Sequence, residues 1–215
     1  MFTGIVEEIG TVARITQGNH SAVLKIQAER VLENTKIGDS IAVNGVCLTV
    51  TEISTALFSA DVMHETLNRS SLASLSRGSH VNLERAMQAD GRFGGHFVTG
   101  HIDGMGEILR ISRDGTAVWY TIRVDPKLTP YIVEKGSVAI DGISLTVAKT
   151  ALAEFSISAI PHTVGHTALN EKRAGDFVNV ETDVIGKYIE KLTKAACEQK
   201  KESKITMDFL SNQGF

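Results

Sequence analysis

The side chains best placed to do chemistry sit in two near-copies of one segment, VNGVCLTV at residues 43–50 and IDGISLTV at residues 140–147. Read as a strand with a period of two, the first copy turns Val46, Leu48 and Val50 to one face and Gly45, Cys47 and Thr49 to the other. The second turns Ile143, Leu145 and Val147 away from Gly142, Ser144 and Thr146. The apolar face is core. The small face has two readings. It can meet solvent, as one face of an antiparallel sheet commonly does. It can also be the floor of a ligand site, because Gly-Cys-Thr lacks the lysines and glutamates of a wetted strand and lets a flat molecule lie close to backbone. We adopt the floor. Cys47 offers a thiol nucleophile, but the sequence places no base beside it and its counterpart is a serine. A small packing thiol is its plainer role.

Imidazoles come next. In RFGGHFVTGHIDG, residues 92–104, His96, His101 and Asp103 invite a metal site. On a strand, His96 and His101 stand an odd number of residues apart and face opposite ways, so they cannot share an ion and no metal is expected. His101 and Asp103 share a face. An imidazole beside a carboxylate is either an acid/base pair next to a pocket or a surface histidine with no task. The glycines here have neither the lysine of a P-loop nor the G-x-G-x-x-G spacing ahead of a helix.

What must position these groups is a duplication. A shift of 97 residues carries Gly45 onto Gly142, Met63-His64-Glu65-Thr66 onto Ile160-Pro161-His162-Thr163, and Val81-Asn82-Leu83-Glu84 onto Val178-Asn179-Val180-Glu181. Near the start the shift is 96, laying Thr3-Gly4 on Thr99-Gly100 and Gly10 on Gly106. One register kept through glycine, asparagine and apolar positions means two tandem copies of a small domain. Each copy is rich in Val, Ile and Thr in short alternating runs broken by Gly, Asn and Asp. A single helical stretch is predicted in each, LNRSSLASLS and TALNEKR. So many short strands in so short a copy call for a closed antiparallel barrel, which also removes exposed edges. After both copies, Val184, Ile185, Tyr188, Ile189, Leu192, Ala195 and Ala196 recur at helical spacing, opposite Lys187, Glu190, Lys191, Lys194 and Glu198. That stripe must be buried, either on the chain's own barrel or on another copy.

Bulk properties narrow the partners. With 42% hydrophobic and 22% charged residues and a net charge of −3, the chain has an ordinary globular composition and no global pull toward nucleic acid. The stretch from Lys187 to Lys204 interleaves glutamates and reads as a solvated helix face. No apolar run reaches the ~20 residues of a membrane span. The first residues show no basic, then apolar, signal pattern, and the two cysteines form no CxxC pair. The cytoplasm is the expected compartment, with no disulfide framework.

MFTG at the start, the NGVCLTV and DGISLTV pair, GRFGGHFVTGHIDG and IPHT together resemble riboflavin synthase of the alpha-chain type, over essentially the whole chain. The resemblance implies an all-β fold of two six-stranded antiparallel Greek-key barrels, at residues 1–97 and 98–183, with residues 184–215 as a helix and tail for oligomerisation. It implies a transferase that dismutates two molecules of 6,7-dimethyl-8-ribityllumazine into riboflavin and 5-amino-6-ribitylamino-uracil, without metal or organic cofactor. Three chains would share their active sites, the N-terminal barrel of one facing the C-terminal barrel of the next, and an association with lumazine synthase is left open. On the N-terminal barrel the resemblance marks Gly4, Ile5 and Val6, then Cys47, Leu48 and Thr49. Asp61, Val62 and Met63 follow, with His64, Glu65 and Thr66. On the C-terminal barrel it marks Gly100, His101 and Ile102, then Ser144, Leu145 and Thr146. Ser158, Ala159 and Ile160 follow, with Pro161, His162 and Thr163, and Lys135 reaches across from another chain. Phe2, Ser40, Cys47, His101, Ser144 and Asp183 are implied near the reacting rings. The repeat makes some positions unequal: Ile5 against His101, Cys47 against Ser144, Gly38 against Lys135, Glu65 against His162, and Ala86 against Asp183. A donor ring and an acceptor ring need different surroundings, so these pairs are expected to assign the roles, with His101 as base. The rivals are a non-catalytic lumazine- or flavin-binding protein of the same fold and, more remotely, a flavin-reductase-like domain.

Overall fold

A computed structural model describes residues 1–19, 21–199, 211 and 214. The alternating runs become strands in both copies. In the first copy these are β1 (Glu8–Gln17), β2 (Ser21–Gln27), β3 (Ser40–Val43), β4 (Val46–Ile53), β5 (Leu57–Met63) and β6 (His80–Arg85). They close into a barrel in the order β1-β2-β5-β4-β3-β6. In the second copy β7 (Gly104–Asp114), β8 (Ala117–Arg123), β9 (Ser137–Ile140), β10 (Ile143–Thr150), β11 (Glu154–Ala159) and β12 (Phe177–Thr182) close as β10-β11-β8-β7-β12-β9. Inward residues of every strand build two cores, one around Leu24, Ile26, Ile41, Phe58 and Leu83, the other around Ile108, Ile122, Ile140, Phe155 and Ile157. Closure pairs the edges that an open sheet would expose.

Two local readings are corrected. The segment VNGVCLTV is not one strand but a hairpin. Asn44 and Gly45 both have positive φ, +46° and +78°, as do Asp141 and Gly142, +44° and +79°. Asn-Gly and Asp-Gly are the pairs that two-residue hairpin turns favour. Gly45 and Gly142 therefore leave the small face and meet each other: a Cβ on Gly45 would lie 2.7 Å from the Gly142 nitrogen. The helical stretch before the sixth strand is also broken in two. α1 (His64–Arg69) and α2 (Pro161–Gly165) each precede a separate 3₁₀ turn, at Ser71–Ser74 and Ala168–Glu171. The breaks fall at Ser70 (φ −132°, ψ 163°) and Thr167 (φ −138°, ψ 161°), whose hydroxyls donate back to the Thr66 and Thr163 carbonyls.

The repeated V-N-x-E motif explains those breaks. Its valine and third residue are core, while its asparagine bridges the two barrels. Asn82 Nδ2 donates to the Asp141 carbonyl (2.9 Å) and its Oδ1 accepts from Ala168 N (2.7 Å). Asn179 mirrors this, donating to the Asn44 carbonyl (2.8 Å) and accepting from Ser71 N (2.6 Å). Each helix break frees an N–H to meet the other barrel's asparagine. The change of repeat shift from 96 to 97 lies in the loop before the third strand. Ala28 and Val124 make the same turn bond on one side of it, as do Gly38 and Lys135 on the other.

One difference in this seam is titratable. Where the first hairpin has Asn44, the second has Asp141, 1% exposed and 3.2 Å from Lys172 Nζ. Burial pushes its carboxyl above the ordinary range, partly offset by Lys172 and the Asn179 N–H. A carboxyl whose folded pKa is raised binds its proton more readily in the folded state, so its contribution to stability is lost as pH rises from the ordinary carboxylate range. Asp141→Asn should therefore gain on wild type as pH increases through the acidic range. Urea midpoints for both proteins across that range check this, and parallel pH curves would refute it.

The tail forms α3 (Val184–Gln199), a unit separate from Met1–Asp183. Ile185, Tyr188, Ile189 and Leu192 are exposed along it. The Cys197 side chain and the lysines at 200, 201 and 204 lie outside the described residues.

Candidate functional site

On β4 and β10 the side chains alternate as the sequence pattern requires. Leu48 (5% exposed) and Leu145 (8%) point into the barrels, whereas Cys47 and Ser144 are half-buried and Thr49 and Thr146 are exposed. Ser40 on β3 stands directly opposite Thr49, and Ser137 on β9 directly opposite Thr146. Directly opposed residues share a face, so each floor has a serine beside its threonine. Ser137 went unnamed from the sequence, although the 97-residue shift lays Ser40 on it. On β5, Asp61 and Met63 are exposed on the outer side, with His64 and Glu65 exposed and Thr66 half-buried in α1. On β11 and α2 the counterparts Ser158, Ile160, Pro161 and His162 are exposed and Thr163 is half-buried. Val62 and Ala159 lie inside the barrels, so like the leucines they can offer a ligand only backbone.

The glycine segments ahead of β1 and β7 cross between barrels. They pair with each other at Phe2 and Val98, with N–H to carbonyl distances of 2.7 and 3.1 Å. Each is held by the glutamate of its own V-N-x-E motif. Glu84 accepts from Thr3 N (2.6 Å), Thr3 Oγ1 (2.8 Å) and Gly4 N (3.0 Å), and Glu181 does the same with Thr99 and Gly100. Burial pushes the Glu84 carboxyl upward, against these donors, which favour the ionised form. Beyond the clamp each segment lies on the other barrel's floor. The Gly4 carbonyl accepts from Ser144 N (2.8 Å), and the Gly100 carbonyl accepts from Cys47 N (2.9 Å). Both glycines have positive φ, +78° and +83°, and a Cβ on either would sit 2.6 Å from the Cβ of Ser144 or Cys47. Val6 packs on the C-terminal core and Ile102 on the N-terminal core. The grouping expected from the sequence is thus exchanged: Gly4, Ile5 and Val6 accompany Ser144 and Thr146, and Gly100, His101 and Ile102 accompany Cys47 and Thr49.

The remaining expected residues sort by burial. Phe2 is fully buried between the barrels with Val98, Ala42 and Ala139, so it wedges the seam. His101 is exposed at the N-terminal floor, with its N–H on Thr99 Oγ1 (3.3 Å). Asp103, read as its partner on a strand, is instead tied to β12, its Oδ2 accepting from Thr182 N and Oγ1 at 2.8 Å. The segment around it is irregular. Lys135 is exposed at φ +65° where Gly38 has +95°, a conformation that disfavours a side chain. Asp183 is half-buried after β12. His96, considered from the sequence only as a metal ligand, is 7% exposed with its Nδ1 2.7 Å from Ser144 Oγ. Among the described residues no three His, Cys, Asp or Glu side chains are placed to hold a metal, and no helix is long and apolar enough to cross a membrane.

A cavity of about 690 Å³ opens beside β3 and β6, lined by Ile5, Ser40, Met87, Arg92 and the Glu7–Arg85 ion pair among others. It shares only Ile5 and Ser40 with the expected site. The two repeated faces are open, and a flat ring can cover such a face without a pre-formed cleft.

A model of the lumazine binding domain family matches residues 3–86 and again 99–183. A riboflavin synthase from Actinobacillus pleuropneumoniae is 54% identical over 217 residues, covering all of both chains. The chain belongs to the riboflavin synthase family. The family's enzyme from Bacillus subtilis is 49% identical over 215 residues, again covering both chains entirely. Among solved structures, LumP in complex with 6,7-dimethyl-8-(1'-D-ribityl) lumazine superposes with a TM-score of 0.77 at 26% identity, covering 85% of this chain and 99% of that one. LumP in complex with riboflavin gives 0.78 at 27%. The match falls on both barrels, each of which contributes one floor.

Proposed function

We propose that the chain is a transferase that dismutates two molecules of 6,7-dimethyl-8-ribityllumazine, passing four carbons from one ring to the other to give riboflavin and 5-amino-6-ribitylamino-uracil. The observation that carries this reading is identity of 54% to a riboflavin synthase over the full length of both chains. The duplicated floor supports it physically, since two copies of one substrate need two seats of one shape. The N-terminal seat is formed by Ser40, Cys47, Thr49, Asp61 to Thr66 and Gly100 to Ile102. The C-terminal seat is formed by Ser137, Ser144, Thr146, Ser158 to Thr163 and Gly4 to Val6. Holding two rings face to face can contribute up to ~7–11 kcal/mol through orientation. The 7-methyl group of the lumazine is acidic because its anion delocalises into the ring, and His101 takes that proton. Ser144 and Asp183 act on the nucleophile that adds to the other ring.

A single open floor cannot face two rings together, so each active site would pair the N-terminal floor of one chain with the C-terminal floor of its neighbour. Lys135 would reach across, its left-handed backbone being the strain such a role exacts. Three chains would join through α3, covering Ile185, Tyr188, Ile189 and Leu192, and the enzyme would work in the cytoplasm. Sedimentation is expected to give the mass of three chains, and a monomer would remove the shared site.

The LumP complexes favour one second reading, a carrier that holds lumazine without turning it over. Mixing the protein with the lumazine and following riboflavin fluorescence separates the two. In the same assay His101→Ala and Asp183→Ala should each lower turnover by about 100-fold or more. Near wild-type rates in both would refute the role assignment.

A further inference from the structure

Ser144 has a side-chain partner with no counterpart at Cys47 among the described residues. His96 lies 7% exposed under the C-terminal floor, anchored by its own N–H on the Thr3 carbonyl (3.1 Å), with Nδ1 2.7 Å from Ser144 Oγ. Its Nε2 is buried and meets no hydrogen-bond partner among the described residues. At the other floor the Cys47 N–H meets the Gly100 carbonyl of the crossing segment, whose next residue, His101, is exposed. The two seats therefore differ in kind: one has an exposed imidazole on the segment that crosses its thiol strand, the other a hydroxyl bonded to a buried imidazole.

We infer that His96 is a positioning residue that holds the Ser144 hydroxyl and makes the C-terminal floor the acceptor seat, where water adds to the lumazine ring, leaving the N-terminal floor with His101 as the donor seat. This rests on the two-seat reading above. With its proton on Nε2, the neutral ring accepts the Ser144 O–H at Nδ1 and turns the serine lone pairs toward the floor. A water bonded to that oxygen adds to ring carbon C7. The new O–C7 bond forms as the C6=C7 π pair shifts to C6=N5 and the N5=C4a pair moves into the pyrimidinedione. The water's proton passes to Ser144 and the serine's proton passes to Nδ1. When the oxygen leaves as water it takes the proton back along the same path, and nothing is oxidised or reduced. Burial keeps the imidazole neutral by pushing its pKa below the ordinary value. Asp183, after β12, is the charged group that acts on it, and its negative charge favours the imidazolium as it forms.

The test uses the full-length protein with the lumazine. His96→Phe keeps the site filled and apolar. Its kcat should fall roughly 100-fold with KM held within about twofold, because the missing contact matters only in the reaction. His96→Gln, which can still hold the hydroxyl, should lie between it and wild type and should alter the acid limb of the kcat–pH profile. Enzyme-accelerated exchange of the 7-methyl protons with D₂O should survive in both and be lost in His101→Ala. The double variant His96→Phe/Ser144→Ala should be no slower than Ser144→Ala alone. If Ser144→Ala turns over normally, the role given to Ser144 fails and the inference with it. If Ser144→Ala is slow while His96→Phe is normal, only the inference fails. Multiplying effects in the double variant, an unchanged acid limb in His96→Gln, or loss of methyl exchange in His96→Gln would each overturn it. Should His96→Phe not fold, His96→Gln decides through its pH profile and methyl exchange.

Discussion

Asn179→Ala is expected to destabilise the protein by about 2–6 kcal/mol, because it strands two buried partners at ~1–3 kcal/mol each. The amide of Asn179 accepts from Ser71 N and donates to the Asn44 carbonyl, and both partners belong to the other barrel. Asn179 itself is fully buried, so water cannot replace it. Asn82→Ala should cost a similar amount by stranding Ala168 N and the Asp141 carbonyl. Urea unfolding of both variants measures the effect. A loss under about 1 kcal/mol, the scale of an ordinary net hydrogen bond, would mean that the amides do not hold the barrels together.

Gly100→Ala should nearly abolish turnover, and Gly78→Ala should not. Both glycines have strongly positive φ, +83° and +89°, so each alanine costs ~1–2 kcal/mol of backbone strain. At Gly78 nothing lies within 4 Å of the new methyl. At Gly100 it would lie 2.6 Å from Cys47 Cβ and 3.0 Å from Cys47 N, and must lift the crossing segment off the floor together with His101. A misplacement near 1 Å can cost ~100-fold in rate, so kcat/KM for Gly100→Ala should drop by about that factor or more. Comparing the pair in melting and turnover assays isolates the close approach from the strain. Equal turnover in the two would remove the crossing segment from the site.

Much of the architecture was legible because it is written in short-range patterns. Period-two alternation around Leu48 and Leu145 marked the inward faces, and the shift laying Gly45 on Gly142 marked two copies. The hairpin turn was equally legible in Asn44-Gly45, yet the apolar run on either side masked it as one strand. The helix breaks at Ser70 and Thr167 were not legible, since what favours them is a bond from the next residue to an asparagine of the other barrel.

The site divides in the same way. The sequence by itself determined that two small-residue strand faces exist, that they are copies, and that Cys47 against Ser144 is one of their differences. Composition and spacing suffice for this, because strand alternation and duplication are local or self-similar. Only the tertiary structure decided which segments meet. It exchanged Gly4–Val6 and Gly100–Ile102 between the floors, put His101 with Cys47, and brought His96 beneath Ser144. Those contacts join residues 48 to 140 positions apart, across a seam made by two closed barrels packing together, and no local pattern encodes which carbonyl will meet which amide there.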